Sequence, residues 1–175
     1  MDITITVDDS GVQNLLKTLQ SRIQHMQPIM REIAEIMKDE VEENFAQQGR
    51  PKWKPLSPFT IAARRKGKGS IKGLMILQSS GILAGSISAK ATDTQAIVGT
   101  NVKYAAVHQF GDKTSPTVIK PKNKKALFWP GAKHPVKSVK HPGVTIPARP
   151  FLSIPDIGMA KIRQTMTRYI TEGAK

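Results

Sequence analysis

The sequence predicts an α+β fold, with a mostly antiparallel β-sheet packed by helices on one side and a long basic loop or β-arm. Three observations support this prediction. Apolar and polar residues alternate near the start of the chain and again around residue 90, which is typical of strands. Apolar residues recur at helical spacing in two N-terminal segments and one C-terminal segment. Lysine and proline dominate residues 112–142, where few apolar residues occur.

Length and composition are consistent with one globular domain over residues 1–175. The chain is 39% apolar, which suits a core of ordinary size, and a second independent core is not expected. It contains no cysteine, which excludes disulfides and thiolate metal sites. The start lacks the features of a signal peptide, and no apolar stretch approaches the roughly 20 residues that span a membrane. We therefore expect a cytoplasmic protein without a membrane partner.

The N-terminal segment predicts one strand and two helices. Residues 2–7 alternate with a period of two, which predicts a strand with one buried face. Asp8, Asp9 and Ser10 offer N-cap oxygens for an amphipathic helix that ends near Gln24. The apolar residues of this helix are Val12, Leu15, Leu16, Leu19 and Ile23. Pro28 opens a longer helix whose apolar stripe consists of Ile29, Met30, Ile33, Ile36, Met37, Val41 and Phe45.

An acidic stripe runs along the opposite side of the longer helix. Its members, at spacings of three and four, are Glu32, Glu35, Asp39 and Glu42. A solvated face is the simplest interpretation, and docking onto a basic neighbouring subunit is the alternative. A catalytic pair of carboxylates would need an enclosed pocket, which an outward helix face does not supply.

The next segment predicts an extended strap and a basic loop. Three prolines in residues 49–58 disfavour a regular helix, and we expect Trp53 and Leu56 to hold this strap against the body. Ser57 and Pro58 form an N-cap and a first helical residue, which predicts a short helix. Residues 64–72 follow as a basic loop that contains two glycines.

The middle of the chain predicts two short helices separated by a hairpin. Residues 74–80 predict a short helix ended by Gly81. Residues 86–91 and 96–99 flank four turn-prone residues, which predicts a hairpin, and we expect it at the centre of the sheet. Residues 101–111 predict one helical turn closed by Gly111.

His108 is the candidate ligand or base in this helical turn. Asp112 is its only nearby acid, and a packed or hydrogen-bonded histidine is the preferred interpretation. No catalytic, cofactor-binding or metal-binding residue is predicted elsewhere in the chain.

The last third predicts loops or a long β-arm over residues 112–142, with a strand at residues 126–130. Residues 147–152 form a rigid turn that should deliver Phe151 and Leu152 to the core. Prolines on both sides orient Arg149, whose guanidinium would suit a carboxylate contact within the subunit or across an interface. A final helix should run from about Pro155 to Thr171, with these residues buried: Ile157, Ile162, Met166, Tyr169 and Ile170.

Charge is distributed unevenly along the chain. Residues 1–49 contain four basic and nine acidic side chains, a net charge of −5. Residues 50–72 contain eight basic and no acidic side chains, and residues 112–149 contain nine basic side chains and one acid, so each segment has a net charge of +8. Such a chain, with a total charge of +14, is suited to bind polyanions or to bind other copies of itself head to tail.

Several short motifs together resemble those of the phage virion morphogenesis, or tail completion, family of contractile-tailed, Mu-like phages. They lie in residues 53–57, 77–83, 99–105, 108–111 and 146–152, in the family's order. The residues that carry the resemblance are Trp53, Gly81, Leu83, Gly99, Tyr104, His108, Gly111, Pro147, Arg149, Pro150 and Phe151.

The resemblance implies the same α+β class and a non-enzymatic role. It implies a virion component of the tail or neck that caps the tail tube as a homo-oligomeric ring and enables head–tail joining. The expected partners are other copies of the chain, a hexamer by analogy, with the tail tube or sheath, head–neck proteins and packaged DNA in the lumen. Assembly would take place in the host cytoplasm, and no cofactor is expected.

Two sets of contact residues follow from the charges and the resemblance. Partner or DNA contacts are predicted at Arg64, Arg65, Lys66, Lys68, Lys72, Lys120, Lys122, Lys124 and Lys125. Subunit-interface contacts are predicted at Glu32, Glu35, Asp39, Glu42 and Arg149.

Two other classes of function fit the sequence less well. A sequence-independent nucleic-acid-binding protein would account for the basic segments, but it would more commonly add exposed aromatics, and only Trp53 and Trp129 are candidates. A nuclease or peptidase would need clustered carboxylates or histidines in a pocket, whereas the acids here concentrate on one helix away from the basic segments.

Overall fold

Helices and short antiparallel strands make up the protein, which confirms the α+β class. The computed structural model describes residues 8–66, 74–123, 125–128 and 133–172. The helices are α1 (Ser10–Gln24), α2 (Gln27–Ala46), α3 (Pro58–Lys66), α4 (Ile82–Gly85), α5 (Ala105–Phe110) and α6 (Asp156–Thr171). The strands are β1 (Ser88–Ala91), β2 (Ala96–Gly99), β3 (Asp112–Lys113), β4 (Thr117–Ile119), β5 (Val139–His141) and β6 (Thr145–Ile146).

The described residues form two compact units. Unit 1 contains the residues up to Val102 and those from Phe151 onward, and unit 2 contains residues 103–150. Helix α2 is the centre of unit 1, where the β1–β2 hairpin and α6 pack against it. Four residues of the predicted stripe are buried, Ile29, Ile33, Val41 and Phe45, together with Ala34. The other predicted members, Met30, Ile36 and Met37, are half-buried.

The described strands form three separate two-stranded antiparallel sheets, β1–β2, β3–β6 and β4–β5. The prediction of one sheet with the hairpin at its centre is therefore wrong for the described part of the chain. The hairpin itself is confirmed, with Ser88 opposite Gly99 and Ala91 opposite Ala96. The chain continues from the hairpin into a helix, and the later strands pair with one another. The predicted strand at residues 2–7 lies outside the described residues.

Predicted capping oxygens accept backbone N–H groups at two helix starts, and at α1 the acceptor is Asp8, whose Oδ1 accepts from the Ser10 N–H at 3.0 Å. Ser57 Oγ accepts a hydrogen bond from the Thr60 backbone N–H (3.2 Å), as expected of an N-cap before Pro58. At the start of α1, Asp9 occupies the N-cap position without a side-chain capping bond. Its carboxylate instead accepts a hydrogen bond from the Gln13 side chain at 2.9 Å.

Gly81 begins a helix rather than ending one. Residues 74–80 form turns, and α4 starts directly after Gly81. The backbone φ angles of Leu77 (58°) and Gly81 (75°) are both positive, and such residues interrupt a right-handed helix. The predicted helix at residues 74–80 is therefore wrong.

Helix α6 has the predicted extent but a different buried face. Gly158 and Thr165 are buried, whereas Ile157, predicted to be buried, is 62% exposed. A Cβ on Gly158 would lie 2.8 Å from Glu40 Cγ, so only glycine permits this close approach of α6 to α2. The approach sets the rotation of α6 and turns Ile157 outward. The other predicted residues, Ile162, Met166, Tyr169 and Ile170, are half-buried.

Unit 2 contains α5 and a β-arm. Of the two forms predicted for residues 112–142, the structure contains the β-arm: β4 pairs with β5, and Leu127 bridges Val136 further out. Of the strand predicted at residues 126–130, the described residues contain only this bridge at Leu127. None of the described helices has the length and apolar character needed to cross a membrane.

Candidate interaction surfaces

The predicted acidic stripe is an exposed surface of α2, called here the acidic face. It consists of Glu32, Glu35, Asp39 and Glu42, all of which are exposed. Arg168 Nη2 lies 2.5 Å from Glu32 Oε1, and Lys38 Nζ lies 4.0 Å from Glu35 and 3.6 Å from Glu42. Exposed ion pairs of this kind contribute at most about 1 kcal/mol each. Asp39 has no ion-pair partner among the described residues, so the acidic face retains unneutralised charge.

Glu40 lies on the opposite, buried side of α2 and was not predicted as a functional residue. Its Oε1 accepts a hydrogen bond from Lys161 Nζ (2.7 Å), and Arg50 Nη2 lies 2.8 Å from its Oε2. Arg50 also donates to the backbone oxygen of Glu40 (2.6 Å). This ion-pair cluster joins α2, the strap after α2 and α6.

The two cations hold Glu40 ionised in its buried position. Burial alone would raise the pKa of Glu40, but the hydrogen bonds and positive charges of Lys161 and Arg50 outweigh it. The pKa of Glu40 therefore lies below its ordinary value of 4.5. Removing one partner of a buried ion pair is strongly destabilising. The cluster therefore favours the observed arrangement of α2, the strap and α6.

Asn44 extends this polar cluster one helical turn further along α2. Its Nδ2 donates to the backbone oxygens of Phe151 (2.9 Å) and Ser153 (2.7 Å), and its Oδ1 accepts from Arg50 Nε (2.9 Å). The sequence contained a signal for this cluster, because Glu40 and Asn44 fall on the apolar side of the helical pattern. Polar residues on a buried helix face require partners inside the chain.

The motif residues of unit 1 form its core. Phe45 packs against Trp53 with ring centroids 5.8 Å apart and against Phe151 with centroids 5.3 Å apart. Trp53, Leu83 and Phe151 are buried, as predicted for Trp53 and Phe151, whereas Leu152 is only half-buried. These buried residues therefore stabilise the fold.

The motif residues of unit 2 meet around His108. Its ring packs edge-on against the Tyr104 ring, with centroids 5.7 Å apart, and its backbone oxygen accepts a hydrogen bond from the Arg149 N–H (2.7 Å). Burial, and then the positive charge of Arg149, lowers the pKa of His108 below 6.5. His108 Nδ1 is buried without a hydrogen-bond partner among the described residues. The contact with Tyr104 fits the preferred interpretation of a packed histidine, and the ligand or base alternative stays a prediction.

Gly111 allows the chain to turn tightly beside this group. Its φ angle is +76°, and a Cβ there would lie 2.8 Å from Ala148 N and 2.9 Å from Ile146 O. Arg149 is only 7% exposed. A contact of its guanidinium within the subunit therefore fits the structure better than a contact across an interface.

The predicted basic contact residues are mostly exposed where they are described. Arg65, Lys120, Lys122 and Lys125 are exposed. Arg64 is half-buried, and its Nη1 donates a hydrogen bond to Met75 O (2.8 Å). Lys68, Lys72, Lys124 and the side chain of Lys66 lie outside the described part of the chain. The lysines of the β-arm belong to unit 2 and the acidic face to unit 1.

Comparison with known proteins identifies the family. Residues 7–171 match the sequence profile of the phage virion morphogenesis family. The chain belongs to this family. The resemblance predicted from the motifs is therefore confirmed, and the chain is a phage structural or morphogenesis protein.

Two relatives of this virion morphogenesis protein come from Haemophilus influenzae. Mu-like prophage FluMu G protein 2 is 30% identical over 168 residues, which cover 94% of this chain and 95% of the relative. Mu-like prophage FluMu G protein 1 is 24% identical over 179 aligned positions, which cover 98% and 97% of the two chains. No solved structure matches this member of the family.

Proposed function

We propose that this virion morphogenesis protein is a tail completion or terminator component of the neck. It caps the tail tube as a homo-oligomeric ring and makes the tail competent to join the head. The observation that carries the proposal is the acidic face of α2 in a family member whose net charge is +14. Its four carboxylates outnumber the two cations that pair with them among the described residues, and such a face is suited to a basic segment of a neighbouring copy.

Head-to-tail contact is the form of assembly that this charge separation favours. An acidic patch that meets a basic patch elsewhere on an identical chain forms a heterologous contact, which closes into a ring when the rotation between copies permits. Complementary charges also speed the encounter between copies and suppress wrong pairings. The acidic face on one copy and the basic segments on the next supply these two patches.

The β-arm is the part of the chain best suited to bind a different partner. Lys120, Lys122 and Lys125 are exposed on it, beside the exposed apolar residues Val118 and Phe128. A surface that combines lysines with apolar side chains fits a protein partner that has acidic and apolar groups. We therefore assign the β-arm to the joint with head–neck proteins, rather than to packaged DNA.

A joining assay tests this function. Tails from a lysate that lacks the protein would be mixed with purified protein and then with DNA-filled heads, and joined particles counted by electron microscopy. Wild-type protein should restore joining. A variant with Lys120, Lys122 and Lys125 changed to Ala should form the ring but restore few joined particles. The control changes three exposed lysines outside the arm to Ala, at Lys52, Lys90 and Lys103, and should retain joining.

The nucleic-acid-binding alternative predicts a different result. A protein that covers about six phosphates loses affinity for DNA with a log–log salt slope near −5, because each phosphate contact releases counterions. We expect a shallow slope for the wild type, shared by the variant with Arg64, Arg65, Lys66 and Lys68 changed to Ala. A steep slope that this variant loses, together with normal joining, would favour nucleic-acid binding.

A further inference from the structure

Helix α1 exposes most of its apolar side. Val12, Leu15, Leu16 and Ile23 recur at helical spacing and are between 36% and 62% exposed. They are called here the apolar row. The contacts of α1 lie near its C-terminal end, where Arg22 donates to Tyr169 O and His25 O accepts from Tyr169 Oη (2.6 Å). The first turns of α1 therefore present aliphatic side chains to solvent, which marks an interaction surface.

A groove in unit 1 is complementary to this row in size and chemistry. It lies where the end of α2 meets α4 and has a volume of about 430 Å³. Its lining includes the apolar residues Ala46, Met75 and Ala84 beside the polar Glu42 and Gln78 and the buried Phe45. Ile82 and Leu74, close by in sequence, are 60% and 40% exposed. The small alanines leave space for aliphatic side chains of another helix. This is the geometry by which an amphipathic helix binds an apolar groove.

Within one chain the row does not occupy the groove, because its residues are exposed and none of them lines the groove. Helix α1 is connected to the start of α2, whereas the groove is lined by Glu42, Phe45 and Ala46 at the end of α2. These positions along α2 are separated by about 22 Å, from a rise of 1.5 Å per residue. Two complementary surfaces at opposite ends of one helix allow each copy to bind the next copy in the same sense.

The charges around the two surfaces also match. Asp8 and Asp9 precede α1, and its only charged residues are the basic Lys17 and Arg22, so α1 is acidic at its start and basic further along. The groove has Glu42 in its wall, with exposed Glu43 next to it. Arg64 donates a hydrogen bond to the backbone of Met75, which also lines the groove, and exposed Arg65 follows it. Acidic and basic side chains therefore accompany both surfaces.

We infer that α1 is an exchange arm, whose apolar row docks into the α2–α4 groove of the next copy. This inference rests on the proposed ring and names one of its contacts. A symmetric pair of α1 helices would instead close at two copies and leave the groove of each copy uncovered. Docking into the groove covers both apolar surfaces in every copy of a closed ring.

Engineered cysteines test this contact, because the natural chain contains no cysteine. Leu16→Cys and Ala84→Cys would be made as separate variants, mixed and oxidised. We expect a disulfide-linked heterodimer from the mixture and a ladder of larger covalent oligomers from the double variant. Ser21→Cys, on the far side of α1, is the control and should not cross-link to Ala84→Cys. Circular dichroism would confirm that each variant is folded.

Each other outcome contradicts the inference in a recognisable way. Dimers from Leu16→Cys alone would indicate symmetric pairing of α1. A bridge confined to single chains of the double variant would indicate that α1 occupies its own groove. A ring by native mass measurement without any cross-link would overturn this contact and leave the proposed function standing. Absence of every oligomer would overturn both.

A charged substitution provides a second measurement. Leu16→Glu should raise the dissociation constant between copies by roughly tenfold or more, because it places a charge where a leucine would be buried. Asn14→Glu adds the same charge on the other side of α1 and should change the constant by less than about threefold. Equal effects of the two variants would contradict docking through the apolar row.

Discussion

At the residue scale, the polar side chains buried on α2 are the least replaceable in unit 1. Asn44 is fully buried and links α2 to the chain that leads into α6. We predict that Asn44→Ala lowers the free energy of unfolding by about 3 kcal/mol, because the change removes hydrogen bonds from three buried or part-buried partners. Urea denaturation followed by circular dichroism measures this loss.

The matched control is the same substitution at an exposed position. Asn14→Ala on α1 should change the free energy of unfolding by no more than about 0.5 kcal/mol, as is usual for surface substitutions. Similar losses for the two variants would show that the Asn44 hydrogen bonds contribute little to stability.

His108 should make the stability of the protein depend on pH near neutrality. Its pKa is lower in the folded chain than the ordinary 6.5, because of burial and the charge of Arg149. The unfolded chain therefore binds this proton more readily, and the stabilisation is present above about pH 6.5 and lost as pH falls through the folded pKa. We predict that His108→Gln reduces the fall in unfolding free energy between about pH 7.5 and 5.

Urea denaturation at a series of pH values provides this comparison. The slope against pH is the quantity to compare, because His108→Gln also changes packing and so shifts stability at every pH. His134→Gln replaces an exposed histidine and should keep the wild-type slope. If His108→Gln also keeps that slope, the pKa of His108 does not differ between the folded and the unfolded chain.

At the element scale, α2 has two sides with different roles. One side holds the core and the polar cluster of Glu40 and Asn44, and the other is the acidic face. We predict that Glu35→Lys with Asp39→Lys weakens assembly and leaves the circular dichroism spectrum unchanged, because both side chains are exposed. Analytical ultracentrifugation over a concentration series would measure the assembly.

The control reverses two exposed acids outside α2. Asp93→Lys with Glu172→Lys makes the same change in net charge and should leave assembly unaffected. Equal weakening by both pairs would point to net charge rather than to the acidic face. Unchanged assembly in the Glu35 and Asp39 variant would mean that the stripe is only a solvated surface.

Elements with strong local patterns could be predicted from the sequence. The spacing of apolar residues predicted α1, α2 and α6, and the alternation around a polar turn predicted the β1–β2 hairpin. The sheet could not be predicted in the same way, because pairing between strands depends on residues distant in sequence. Gly81 illustrates the same limit: a positive φ angle suits a glycine either before or after a helix.

The candidate surface residues show the same contrast between local sequence pattern and long-range packing. The acidic stripe could be predicted because its exposure follows from helical periodicity alone. Helical periodicity places Glu40 on the apolar side of α2, but its ion pair could not be predicted, because its partner Lys161 is 121 residues away. Arg149 was predicted to make a contact within the subunit or across an interface, and its burial depends on packing that the rigid turn alone does not determine.

At the scale of the whole molecule, the uneven charge is the feature that the proposed ring explains. The first 49 residues have a net charge of −5, while the chain as a whole has +14. Head-to-tail contacts would place this acidic segment beside basic segments in every copy. The excess positive charge would remain for partners at the neck. A freely dispersed monomer would leave both the acidic face and the apolar row of α1 uncovered.

Native mass spectrometry of the purified protein, alone and with tail tubes, measures directly whether the chain forms a closed ring. We predict one dominant closed oligomer at tens of micromolar, with a mass that is a fixed multiple of the 19.2 kDa chain and six copies as the expected number. A closed ring of another size would still support ring formation and would change only the number of copies. Monomer alone under both conditions would contradict it.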